Sequence, residues 1–252
     1  MKLGYSALKS CIFAVALCLC LSTGPVAASE DADIEIGTRL ADMLRAGRSV
    51  VSANQSLIND PNIGDKGFTG ESLVRQAEEV YAERVGAPLL DDGLSERHRQ
   101  LIDAQKKAML LVVDAHQSDI NRQGVGFKGF IPAVFARLVN EEFSTLVGTQ
   151  ARIRVTAPLG LVRNRKARPD GWERQILETK LVDADWPKGA AYTEQLEYEG
   201  RPAFRMLLPE YYRESCLSCH GGPMGETDIT GYPKEGGKVG DLGGAISIVI
   251  FQ

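Results

Sequence analysis

Cys216-Leu217-Ser218-Cys219-His220 stands late in a 252-residue chain, between a stretch patterned as strands and a run rich in glycine. Two cysteines separated by two residues, with histidine directly after the second, form the attachment signature of c-type haem. The chemistry sets the spacing. Each thiol adds to one vinyl group of the porphyrin, and the adjoining imidazole then serves as proximal ligand to the iron. Two other uses of the motif fit less well. A zinc site wants four ligands, and no second Cys/His pair stands at similar spacing. A thioredoxin-like redox pair opens a helix inside a βαβ unit, whereas Gly221-Gly222-Pro223 follows here. The expected cofactor is therefore one covalently bound heme c. Cys216 and Cys219 attach it, and His220 binds its iron.

The opposite end of the chain agrees with this chemistry. Residues 1–28 read as a secretory signal: Lys2 and Lys9 give a basic start, Cys11 to Leu21 an apolar core, Gly24-Pro25 a break and Val26-Ala27-Ala28 a small-residue cleavage site. The apolar run is shorter than the ~20 residues needed to span a bilayer. Leucine precedes both Cys18 and Cys20, which argues against a lipid-modified start, and no later stretch could cross a membrane. Cleavage near Ala28 removes Cys11, Cys18 and Cys20, leaving only Cys216 and Cys219. An exported chain with no thiols to spare for a structural disulfide is expected to work in the periplasm, where bacterial c-type haem is attached.

Removing the leader takes the formal charge from −4 to −6, which gives no reason to expect nucleic acid or an anionic membrane as partner. The remaining 29–252 is long enough to bury a proper core. Residues 32–58, 70–85, 95–121 and 131–147 carry apolar side chains at helical spacing, with Ser95 as an N-cap and Pro132 in a first turn. Inside this half, 29–148, lies a repeat at an offset of 62. Val50-Val51-Ser52-Ala53-Asn54-Gln55-Ser56-Leu57-Ile58-Asn59 matches Val112-Val113-Asp114-Ala115-His116-Gln117-Ser118-Asp119-Ile120-Asn121, and Gly64-Asp65-Lys66-Gly67-Phe68 matches Gly126-Phe127-Lys128-Gly129-Phe130. Two copies are too few for a solenoid, so a duplicated helix-loop-helix is expected.

The repeat sets His116 opposite Asn54. Met109, Val113, His116 and Ile120 share one helical face, so His116 points inward. It is either a second axial ligand of the iron or a buried histidine bonded as Asn54 would be. His98, in the charged run Glu96-Arg97-His98-Arg99, reads as solvated. Met43, Met109 and Met206 are the thioether candidates and read as core.

From residue 149 the period changes to two. Arg152 to Thr156 reads as a strand, 172–183 as a short helix, Tyr192–Tyr198 and Pro202–Leu208 as a hairpin turned at Glu199-Gly200, and Ala245–Phe251 as a central strand. The basic run Arg163 to Arg168 is expected as surface, or facing haem propionates or an acidic partner. Nine glycines within 221–244 suggest a loop passing close to something, with the haem face the candidate. Helices first and antiparallel strands after give an α+β fold, with the helices and 149–252 expected as one compact unit.

Phe127-Lys128-Gly129-Phe130-Ile131-Pro132, Arg205 with Pro209-Glu210-Tyr211-Tyr212, the haem motif, Thr230-Gly231-Tyr232-Pro233 and Gly243-Gly244-Ala245-Ile246-Ser247 together resemble the PAS-like single-haem c-type domain family. That family was long catalogued as a domain of unknown function, and occurs alone or as the periplasmic sensing half of histidine kinases and chemoreceptors. The resemblance implies N-terminal helices packed on a PAS-like antiparallel sheet that carries one haem, with Cys216, Cys219 and His220 in the roles given above. Some relatives use a cysteine as second ligand, which this chain cannot after cleavage, and the membrane and signalling parts of the sensor relatives are missing here. The expected function is a periplasmic mono-haem cytochrome-like protein in electron transfer or redox chemistry, with a redox protein as partner. The alternative is a haem-based sensor of redox state or of a small gaseous ligand, reporting to a partner protein. An enzyme such as a peroxidase needs a distal acid-base group over open iron and ranks last. Pairing of chains through the N-terminal helices is possible.

Overall fold

A computed structural model describes Met1 and residues 24–252. The basic start and apolar core of the expected leader lie outside the described residues, and the junction near Ala28 falls in the first turns of α1. Among the described residues no helix is long and apolar enough to cross a membrane.

The helical half holds α1 (Gly24–Ala53), the one-turn α2 (Gln55–Ile58), α3 (Gly70–Val85), α4 (Glu96–Ala115), the one-turn α5 (Gln117–Ile120) and α6 (Pro132–Val147). The caps follow chemistry readable in the sequence. Thr69 accepts from Ser72 N, Ser95 accepts from His98 N, and Pro132 starts α6 where its missing N–H costs nothing. Two segments expected as single helices are each interrupted near the end. Residues 32–58 break at Asn54 and 95–121 break at His116, both at φ near −100° and ψ near +10°. Each side chain turns back on its own helix: Asn54 Nδ2 donates to Val50 O (2.9 Å), and His116 Nδ1 lies 2.7 Å from Val112 O. Such local bonds compete with the helical ladder and mark where it turns.

The two copies then exchange bonds. Gln55 Nε2 donates to Phe130 O in the second loop, and Gln117 Nε2 donates to Phe68 O in the first, both at 2.9 Å. Asn59 Oδ1 accepts from Lys128 N (3.0 Å), and Asn121 Oδ1 accepts from Lys66 N (3.1 Å). Gly67 and Gly129 turn the two loops at φ of +61° and +73°, a region that glycine enters without steric penalty. Each copy thus holds the other's loop in place.

The second half is one antiparallel sheet in the order β1-β4-β3-β2, from β1 (Ala151–Thr156), β2 (Tyr192–Tyr198), β3 (Arg201–Tyr211) and β4 (Leu242–Phe251). The strand expected to be central, β4, lies between β1 and β3. Alternation sends Ile153, Phe204, Met206, Leu208, Ile246, Ile248 and Ile250 to the inner face, where they share a core with Ile36, Leu40, Leu44, Met109 and Phe135 of the helices. Helix α1 lies directly on this face. A Cβ placed on Gly37 would stand 2.7 Å from Met206 Sδ. The outer face is covered in part by α7 (Gly171–Thr179), whose Ile176 and Leu177 pack on Leu207 and Ala245. Beside it, Arg205 is buried with its guanidinium over the rings of Trp172 and Tyr198, and it donates to Asp170 Oδ2 at 2.8 Å.

One ion pair ties α1 to the end of β3. Glu210 Oε1 accepts from Arg45 Nε at 2.6 Å, and its other oxygen accepts from Arg48. Burial alone would raise the Glu210 pKa, but the charges of Arg48 and Arg45 outweigh it and hold the carboxyl below the usual range. The residues that follow, Tyr211 and Tyr212, lead into the motif.

Candidate functional site

The motif occupies the connection between β3 and β4, two strands that pair with each other. Its neck is closed by backbone bonds from Tyr212 N to Asp241 O (2.9 Å) and from Gly240 N to Tyr212 O (2.8 Å). Between these ends a 3-10 turn, Glu214–Cys216, runs into the one-turn α8 (Leu217–His220). The chain then folds back along itself: Gly236 N donates to Gly221 O at 2.9 Å and Gly237 N to His220 O at 2.8 Å. Beyond that, Thr227 bridges Pro233 antiparallel. The expected glycine-rich loop is thus an ordered return path.

Cys216 closes the 3-10 turn and Cys219 lies in α8, three residues apart along consecutive helical turns, a spacing at which residues are neighbours. Both thiols are free and half-buried, with no disulfide between them. Arg213 N donates to Cys216 Sγ at 3.4 Å, and burial pushes the Cys219 thiol up.

The imidazole of His220 lies against the ring of Tyr212, with centroids 5.0 Å apart and planes 20° from parallel. Its Nδ1 is 3.0 Å from Glu235 Oε2 and 3.4 Å from the Tyr212 hydroxyl. Its Nε2 has no hydrogen-bond partner among the described residues. Burial, then the charge of Glu235, pushes the Tyr212 hydroxyl up to about 12, so it stays a neutral phenol at physiological pH. Two glycines make room for that ring. A Cβ on Gly237 would sit 2.6 Å from Tyr212 Cε2 and 3.1 Å from His220 O, and one on Gly243 would run into the opposite edge.

Arg163 organises the charges. Its guanidinium donates to both oxygens of Glu235 (2.8 and 3.0 Å), to Asp228 Oδ2 (2.6 Å) and to the carbonyl of Cys219 (2.8 Å). The Asp228 side chain is wholly excluded from solvent. Its other oxygen accepts from Thr230 N, Thr230 Oγ1 and Tyr232 N at 2.7, 2.6 and 3.1 Å. Burial alone would raise its pKa, and these bonds with that of Arg163 overcome burial and hold it far below the usual range. Glu235 is lowered in the same way. Burial opposes its charge, while Arg163 and His220 favour it.

The structure gives the remaining sequence candidates other settings. His116 sits at the break between α4 and α5, its ring 5.3 Å from that of Phe130 and its Nδ1 on Val112 O. Its recorded partners all belong to the helical half, and none of the bonds of His220 involves it. His98 corrects the solvated reading: only 9% of it is exposed, and burial lowers its pKa. The reason is tertiary: the charges of Asp33 and Glu35 on α1 reach the ring, and Arg97 beside it donates to Phe251 O at the end of β4. Met43, Met109 and Met206 are core residues with 1% exposure or less. Arg163, expected as surface, finds its acidic partners within the chain. Glu235, Asp228 and the packing of Tyr212 on the imidazole were not foreseen. Arg163 and Glu235 are 72 positions apart, and no local pattern links them.

Among the described residues no three His, Cys, Asp or Glu side chains converge to hold a metal ion. The donors at the motif are two free thiols three residues apart on consecutive turns and one oriented imidazole whose Nε2 has no hydrogen-bond partner among the described residues. That set suits a metal that arrives with its own equatorial ligands. The residues fit a porphyrin on further grounds. Met224, Ile229 and Val239, on the same β3–β4 connection as the thiols, expose large apolar side chains, which an attached macrocycle could cover.

The model of a family described as Tll0287-like (Tll0287) matches residues 37–250. This is a family of unknown function, some of whose members bind haem. No curated protein and no solved structure matches the chain.

Proposed function

The chain belongs to the Tll0287-like family, and on that premise we propose that it is an exported, mono-haem, c-type cytochrome-like protein of the periplasm that works in electron transfer or redox chemistry with a protein partner. The observation that carries the reading is the pair of free thiols three residues apart, Cys216 at the end of the 3-10 turn and Cys219 in α8, next to a His220 whose Nδ1 is held by Glu235. Cys216 and Cys219 would attach the porphyrin, His220 Nε2 would face the iron, and the carboxylate on Nδ1 would fix the tautomer that leaves Nε2 unprotonated. The group would supply a one-electron couple. The protein's part is to hold the imidazole still and keep its charges paired. The likeness to PAS-like sensing domains belongs to this reading too, as an implication of the motifs.

A second reading is a haem-based sensor of redox state or of a small gaseous ligand. What supports it is that Met43, Met109 and Met206 lie in the core and His116 bonds within the helical half, so of the sixth-ligand candidates the sequence offered none stands at the motif; Met224, exposed on the motif's own loop, is the thioether that would count for the carrier.

The deciding experiment is to express the full chain in a host that attaches c-type haem, denature it, and look for haem that stays with the polypeptide. The proposal expects retained haem in the wild type and none in Cys216→Ala/Cys219→Ala. Retention in the double variant, or no haem on the wild type, defeats it. Ferric and ferrous spectra with and without carbon monoxide then separate the readings: indifference favours the carrier, and a sharp shift favours the sensor.

A further inference from the structure

Resting on the reading that His220 ligates a covalent haem, we infer that Arg163 and Glu235 are a positioning pair that fixes the orientation and basicity of His220 and thereby sets the reduction potential of the iron. The pair reaches the motif from two distant parts of the chain. Arg163 precedes α7, and Glu235 sits on the return path of the loop. Glu235 Oε2 is 3.0 Å from His220 Nδ1, while the same carboxylate receives a two-pronged contact from Arg163. A forked guanidinium–carboxylate contact specifies angle as well as distance. Arg163 is itself fixed at three further points, Asp228 and the carbonyls of Cys219 and Pro233. It therefore clamps, through one planar group, the residue that holds the imidazole and the peptide that carries the second thiol.

The chemistry of this chain of contacts is directional. A neutral imidazole has one N–H, and an anionic acceptor on Nδ1 keeps the proton there. A carboxylate pulls that proton more strongly than a carbonyl would, so the imidazole becomes a better donor through Nε2 and favours the ferric over the ferrous state. Arg163 offsets part of the negative charge, so the two residues act with opposite signs on the iron. A latch that merely closed the loop would not need Glu235 for the purpose. Asp228 already anchors Arg163 with a fully buried carboxylate and three other donors, and the backbone bonds at Gly236 and Gly237 close the return path without any side chain.

The test is a potentiometric titration of the haem-loaded full chain as wild type, Glu235→Gln, Glu235→Asp and Arg163→Gln, at one pH and with covalent haem content measured in each. Glu235→Gln keeps the shape and an acceptor oxygen but loses the charge, and its potential is expected to rise at unchanged haem content. Glu235→Asp restores the charge at shorter reach and is expected between the two. Arg163→Gln removes the cation and is expected to move the potential down. Equal potentials in Glu235→Gln and wild type, or shifts of the same sign in Glu235→Gln and Arg163→Gln, would overturn the inference. If either of those variants loads no haem, Glu235→Asp decides alone: a potential equal to that of the wild type overturns the inference, and a rise supports it. A wild type that carries no covalent haem overturns the proposed function itself, a result distinct from any of these.

Discussion

Asn54 and His116, sixty-two positions apart, make the same hydrogen bond at the same break in two copies of one helix-loop-helix. Each caps the carbonyl four residues back, Val50 in one copy and Val112 in the other, with backbone angles that nearly coincide. Histidine at this place acts as asparagine does.

This equivalence makes His116→Asn an informative substitution. Asparagine already satisfies the same carbonyl in the other copy, so stability is expected to change by less than about 1 kcal/mol, the loss being the ring contact with Phe130. The haem spectrum is expected to be unchanged. A change from low to high spin would instead make His116 the second axial ligand. Denaturant unfolding and the ferric spectrum of the same sample give both answers.

Glu210 is the hinge of charge between α1 and β3, and Glu210→Gln leaves Arg45 and Arg48 beside a neutral partner. Its side chain is 18% exposed, so the penalty is set at about 2 kcal/mol, below that of a fully buried pair. The pH dependence has a defined sign. The native pKa of Glu210 is depressed, so its contribution is complete above the ordinary value of about 4.3 and is lost as pH falls through the native value. The gap between wild type and Glu210→Gln should close as unfolding is followed from pH 7 into the acid range. A gap that stayed constant with pH would count against the assignment.

Gly237→Ala tests the packing of Tyr212 on His220. The added methyl would enter the ring at 2.6 Å, so tyrosine or loop must shift, at a cost of about 1–3 kcal/mol. Haem absorption and near-ultraviolet circular dichroism are expected to change with it. An unperturbed spectrum with unchanged stability would show that the loop yields freely there.

Much of this architecture is written locally. Helical periodicity with Ser95 and Pro132 locates the helices, period two locates β1, a continuous β-prone run locates β4, and the repeat is visible as matched letters. The breaks at Asn54 and His116 are harder to read. Both lie inside unbroken apolar periodicity, and one side-chain bond back to a carbonyl decides each. His98 misleads because its neighbours Arg97 and Arg99 are charged. Its surroundings are tertiary, the start of α1 with Asp33 and Glu35 and the end of β4 reached by Arg97. In the candidate site, Cys216, Cys219 and His220 stand out in the sequence because the Cys-x-x-Cys-His spacing is itself the motif. Arg163, Asp228 and Glu235 do not, because their meeting is fixed by the return path of a loop between two strands.

That loop hangs from a neck already closed by Tyr212, Gly240 and Asp241, on strands that pair from Ala203 with Phe251 to Tyr211 with Leu242. The 27 residues beyond the neck, 213–239, therefore form a cassette. The sheet beneath is continuous with or without its contents, and the thiols are offered at the rim of a finished scaffold. Such a segment can change in length while β3 and β4 keep their register, so long as Arg163 keeps its contacts with Glu235, Asp228 and the carbonyl of Cys219, the side-chain tie between the segment and the body.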